Sequence, residues 1–164
     1  MQRFTLPSAL VSILLTGGIF GFFYAWVCST MWGLDATDPR TAIAAMQAMN
    51  ASVRNAIFAP TFFGTAPALL LTAGLALASG RRLPATLFAV AALTYALGGF
   101  FLTVSVNVPM NEALAAVAIP DDAEAARAIW ADYSSRWQVF NQIRTVASGA
   151  ALLLTALGLY ALGQ

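Results

Sequence analysis

Four apolar stretches, separated by polar segments of very different lengths, set the organisation of this chain. The first three cover residues 9–30, 61–79 and 85–106, and each comes close to or exceeds the roughly 20 helical residues that a hydrocarbon core requires. The fourth, residues 146–162, is the lower half of a longer helical pattern. That pattern opens at Asp121-Asp122-Ala123-Glu124, where an N-cap Asp121 is followed three residues on by a glutamate,. No proline follows, so one helix is expected to run to Leu162 with its first turns standing above the membrane. Between the first two runs, Gly33 to Thr37 reads as a loop. Asp38-Pro39 then reads as a cap and first helical residue, opening a helix over 40–58 that is too polar to span.

Glycine and proline refine this picture. Gly17, Gly21 and Ala25 recur every four residues in the first run, with Gly18 alongside, a row that lets another helix approach closely,. Tyr24, Trp26 and Trp32 suit interfacial anchoring. Pro60 is expected to bend the chain into the second span and Pro67 to kink it inside. Gly80-Arg81-Arg82-Leu83-Pro84 makes a tight basic turn, and Gly98-Gly99 sit mid-span. If the third helix persists past Pro109, Thr103, Asn107 and Asn111 share one face.

Composition agrees with a polytopic membrane protein: 60% of the 164 residues are hydrophobic and 9% charged,. The expectation is an all-α membrane protein, one four-helix transmembrane domain over residues 1–164 with extramembrane helical extensions before spans two and four. The first run is too long for a signal h-region and lacks a small-residue cleavage site, so it reads as an uncleaved span. A net charge of +1 gives no reason to expect nucleic acid,. The absence of His removes the commonest ligand of most metal sites, and neither metal nor cofactor is expected,. Cys28 stands alone. Arg3, Arg81 and Arg82 have no acid near them, whereas all seven acids fall in the first and third inter-span segments. The positive-inside rule then places both termini and the short second loop in the cytoplasm; the expected location is a bacterial inner (plasma) membrane.

Candidate chemistry concentrates on one stripe. Trp130, Tyr133, Trp137, Asn141 and Arg144 are spaced by three, four, four and three residues, so a helix points all five the same way where it meets the apolar run,. An amide and a guanidinium are unwelcome on a lipid face, which argues for one wall of a pocket. Gln47, Asn50 and Arg54 share a face of the polar helix, beside Met46 and Met49, and Asn107, Met110 and Asn111 surround Pro109 at the end of the third span. The bland alternatives are a snorkelling Arg144, a solvated Arg54 and asparagines that merely cap a helix.

Together, the glycine-rich first span, Met46-Gln47 with Asn50, the run Asn107-Val108-Pro109-Met110-Asn111 and the series Trp130, Tyr133, Trp137, Asn141, Arg144 resemble the small four-span membrane proteins that include the fungal anthrone oxygenases. The resemblance implies a four-helix membrane fold and, for characterised members, oxidation of an anthrone to a quinone by dioxygen without metal or flavin. In such a reaction Arg144 and Arg54 are candidates for pairing with an oxyanion, Asn107, Asn111 and Asn141 for orienting an oxygen, and Trp130, Tyr133 and Trp137 for stacking on a flat ring. Asn50, Gln47, Met46 and Met110 would complete the substrate-binding surface. Glu112 and Asp132 lie nearest the site as bases. The rival reading is a non-catalytic binder of a quinone, lipid or other apolar ligand, or a small subunit of a membrane complex. A transporter fits less well, because no polar path crosses the spans. Self-association is left open.

Overall fold

Helix geometry here follows from caps and from a few widened turns. A computed structural model describes residues 2–164, with side chains from residue 4 onward. Among them there are five helices and no strand, and four of the helices are long and apolar enough to cross a membrane. The first, α1, is α-helical over Gln2–Ala25, widens over Trp26–Thr30, where the Met31 N–H reaches back five residues to the Trp26 carbonyl, and ends as Met31–Asp35. The second, α2, covers Pro39–Ser52 and starts where Asp38 Oδ1 accepts from the Arg40 N–H. The Arg40 guanidinium holds the Asp38 carboxyl down at about 2. The third, α3, is Phe58–Ala78. The fourth, α4, runs from Arg82 to Ala115 through wide turns at Ala96–Phe101 and Thr103–Asn107. The fifth, α5, is Ala123–Leu162.

The four long helices form an up-down-up-down bundle in which α1 packs on α3 and α5, and α4 packs on the same two,. At 1.5 Å per residue α5 is about 60 Å long, roughly twice the hydrocarbon thickness. Its N-terminal half therefore stands clear of the bilayer, where α2 and the end of α4 pack against it. Two apolar cores result. The membrane core includes Ile19, Phe23, Leu69, Phe88 and Tyr95; the cap core includes Met31, Ile43, Met46, Leu114, Trp130 and Trp137. Polar contacts inside the bundle are small: Ser8 and Ser12 meet Thr72 at 2.6 and 2.9 Å, and the Tyr95 hydroxyl donates to the Phe62 carbonyl at 2.7 Å.

Several boundaries differ from the sequence reading. The polar helix ends at Ser52 because the Asn55 side chain donates to the Ser52 carbonyl and accepts from the N–H groups of Ile57 and Phe58. One amide thus closes α2 and starts α3. The expected loop after Trp32 is helical to Asp35, and α4 continues past Pro109, whose missing N–H is absorbed by the wide turn before it,. The cap of α5 is Asp122 rather than Asp121, with the Ala125 N–H donating to it, and Glu124 pairs with Arg127.

The row of small residues also behaves differently. Gly21 and Ala25 are exposed, and a Cβ on Gly21 would meet nothing. The close approach lies elsewhere, where a Cβ on Gly98 would stand 2.4 Å from that of Ala147. Trp26, expected at the interface, is buried with its ring centroid 5.1 Å from that of Trp137, whereas Tyr24 and Trp32 are exposed. The Arg3 side chain lies outside the described residues. Arg81 donates to the Ala161 and Leu162 carbonyls at 2.9 and 3.1 Å, closing the C-terminal end of α5.

Replacing Gly98 by Val should wedge α4 from α5 and cost about 1–3 kcal/mol, as overpacking does. A lower unfolding temperature in detergent, with Gly21→Val as the neutral control, is the expected result.

Candidate functional site

Trp130, Tyr133, Trp137, Asn141 and Arg144 are all buried on one face of α5, directed into the bundle as their spacing predicts. The top of the stripe is held by Asp35, the last residue of α1. Its Oδ1 accepts from Trp130 Nε1 at 2.9 Å and Ser134 Oγ at 2.7 Å, and its Oδ2 from Gln138 Nε2 at 2.9 Å. One carboxylate therefore fixes three residues at successive turns of α5.

Below it lies a closed ring of hydrogen bonds. Tyr133 Oη donates to Asn111 Oδ1 at 2.8 Å, Asn111 Nδ2 to Asn50 Oδ1 at 3.0 Å, and Asn50 Nδ2 to Tyr133 Oη at 3.4 Å. Trp137 Nε1 adds a second donor to Asn111 Oδ1 at 2.9 Å. Each group in such a cycle polarises the next, so α2, α4 and α5 are locked at one level.

Arg144 sits one turn deeper and is 4% exposed. Its guanidinium carbon lies 4.5 Å from the Phe23 ring centroid and 4.7 Å from that of Trp137, between two aromatic faces. Its Nε donates to Asn141 Oδ1 at 2.8 Å and Nη1 to Thr103 Oγ1 at 3.4 Å. Asn141 in turn donates to the Phe23 carbonyl at 3.2 Å. No acidic side chain forms an ion pair with Arg144 among the described residues; the pairs are Arg40–Asp38, Arg54–Glu112 and Arg127–Glu124. Arg144 does not snorkel to the surface.

The guanidinium, Trp137, Asn50 and Asn111 line a cavity of about 550 Å³. Its other walls are Phe22, Phe23 and Trp26 of α1, Phe58, Phe62 and Phe63 of α3, and Thr103, Val104 and Val108 of α4. The turn from Val53 to Ala56 covers the top, where Arg54, exposed, donates to Glu112 at 3.3 Å.

The remaining expected site residues fall outside this cavity. Asn141 contributes only through Arg144. Trp130 and Tyr133 support the wall from behind, and Met46 and Met110 belong to the cap core. Gln47 Nε2 donates to the Leu114 and Val117 carbonyls at 2.9 and 3.1 Å, ending α4. Asn107 is 0% exposed and neither amide atom has a partner. Glu112 and Asp132 are both exposed, so no carboxylate lines the cavity among the described residues. The same residues contain no group of three or more His, Cys, Asp or Glu placed to hold a metal ion. Sequence reasoning missed Asp35, Thr103 and the aromatic residues of α1 and α3. The only sequence signal for the last was their density, Phe20 to Trp26 and Phe58 to Phe63.

Neither the curated proteins nor the solved structures contain a match to this chain. The family model described as anthrone oxygenase matches residues 54–154, from the rim arginine to below Arg144. Since that match covers more than half of the sequence and most of the cavity wall, the chain belongs to the anthrone oxygenase family.

Proposed function

We propose that the cavity binds a flat phenolic or anthrone-like molecule as its anion and oxidises it with dioxygen, without a metal or organic cofactor. The observation that carries this reading is the Arg144 guanidinium: buried, clamped between two rings, without a carboxylate, and facing an apolar cavity. Taking such a charge out of water costs several kcal/mol, and an anionic ligand oxygen would complete its coordination. Phe23, Trp137 and the α3 phenylalanines give a flat ring system its apolar contacts.

In the balanced reaction an anthrone CH2 loses its two hydrogens; one atom of O2 becomes the new carbonyl oxygen and the other leaves in water. The difficult requirement is the carbanion. With no carboxylate in the cavity, Arg144 does part of a base's work by stabilising the anion: about 3 kcal/mol lowers the ligand's own pKa by roughly 2 units. Thr103 and Asn141 hold the guanidinium in place. The unpaired Asn107 amide, between Thr103 and Asn111 on the same face of α4, is a reserve of hydrogen bonds for the ligand oxygen. The exposed Glu112 and Asp132 favour one second reading, a cavity that binds a quinone or lipid and performs no chemistry.

The proposed orientation puts both termini and the Gly80–Arg82 turn in the cytoplasm and the cavity toward the opposite face, following Arg81 and Arg82. In a Cys28→Ser background, cysteines at Ser79 and Ala123 should be labelled from opposite sides; labelling from the same side would refute it.

Arg144→Met should lower turnover of a supplied anthrone, read as quinone formation with oxygen uptake, by about 30-fold to 10³-fold, the effect of about 2–4 kcal/mol in a desolvated site. Chelator treatment should leave the wild-type rate unchanged; activity lost to the chelator and restored by one metal ion would overturn the cofactor-free reading. If anthrones are bound but not turned over, the binder is the better description.

Asn107→Leu separates function from stability. Removing a buried amide without partners should stabilise the fold by about 1–3 kcal/mol, seen as a higher unfolding temperature, while weakening ligand binding. Destabilisation would show that the amide serves the fold.

A further inference from the structure

The cavity is framed by two helices that part. From the short basic turn upward, α3 packs on α4 as far as the wide turn at Ala96–Phe101, and beyond it the two separate. The last closing contact is aromatic: Phe100 lies 5.1 Å from Phe62 and 5.8 Å from Phe63, centroid to centroid. Above that sill the gap is bordered by Phe63 on α3 and Val104 on α4. Both line the cavity, yet they are 60% and 45% exposed on the outside of the bundle. Both also belong to candidate membrane spans. The gap is closed at the top by the Arg54–Glu112 pair, which joins the turn before α3 to α4. An apolar frame at membrane depth, with a polar bar above it, opens toward acyl chains rather than water.

We infer that the cavity opens sideways into the bilayer through a window between α3 and α4, and takes up its ligand as a neutral, membrane-dissolved molecule. This rests on the reading of the cavity as a site for a flat phenolic ligand. A phenolate would not dissolve in hydrocarbon, so the molecule crosses the window protonated and ionises only beside Arg144. Phe63 and Val104 then select for thickness: a planar ring system passes edge-on, and a bulky or charged one does not. Dioxygen, being apolar, follows the same route.

The test has one arm with ligand and one without. In proteoliposomes with 1,8-dihydroxyanthraquinone as probe, Val104→Trp should slow association and release together by about tenfold, because a narrowed gate changes rates and leaves affinity alone. Phe63→Ala should speed both. Unchanged rates in both variants, with the proteins still monodisperse, would overturn the window. In the second arm, Val108→Cys in a Cys28→Ser background carries a bimane label on the cavity wall. Nitroxide on lipid acyl chains should quench it more strongly than aqueous iodide; stronger quenching by iodide would overturn the proposal. Acyl-chain quenching without any probe binding would support the window and count against the proposed ligand.

Discussion

A guanidinium held inside an apolar bundle with no carboxylate beside it is the constraint that orders this molecule. Arg144 is always protonated in practice, and its surroundings are what make that tolerable. Two ring faces supply attraction that is worth about 2 kcal/mol when desolvated, and Asn141 and Thr103 accept from its nitrogens. Each of these partners must come from a different helix at one depth. Phe23 brings α1, Thr103 brings α4, and the Asn141 amide ties the arginine's own helix back to the α1 backbone. The Asp35 clamp and the amide ring with Tyr133 set the register above.

The parts of the site that share one helix were readable in the chain. The stripe from Trp130 to Arg144 needs only a 3.6-residue period, and it is buried along its whole length. The four spans were equally plain, because twenty apolar residues have few alternatives in water. What could not be read is where helices depart from the ideal period. The wide turn at Trp26–Thr30 changes the phase of α1, so Trp26 faces Trp137 instead of the interface. Gln47 resembled a ligand contact because its helix face was right; only the position of the α4 end, far away in sequence, reveals that its amide caps Leu114 and Val117. Asn55 carried no periodic signal at all, since a side chain that closes one helix and opens the next acts through the backbone. The glycine row misled for a related reason. Helix approach is decided by the partner surface, and Ala147 lies opposite Gly98 rather than opposite Gly21.

The cap and the membrane bundle are mechanically one unit. Asn50 comes from a helix that never crosses the bilayer, yet it completes the ring that positions Asn111 and Tyr133 above the cavity. Arg54 and Glu112 close the same region from outside. The polar segment between the first two spans is therefore a roof, and the shape of the cavity depends on it as much as on the membrane helices.

The wide turns in α1 and α4 have a consequence for how this architecture varies. A turn with bonds five residues apart holds one residue more than an α-helical turn. Deleting a single residue from Trp26–Thr30 or from Thr103–Asn107 would restore a regular helix without breaking it, and would rotate everything on one side by about 100°. Phe23 and Trp26, or Thr103 and Asn107, would then exchange places with neighbours that now face lipid. Gain or loss of one residue at these turns is thus a route by which such a bundle redecorates its cavity while its spans, caps and outer surface stay as they are.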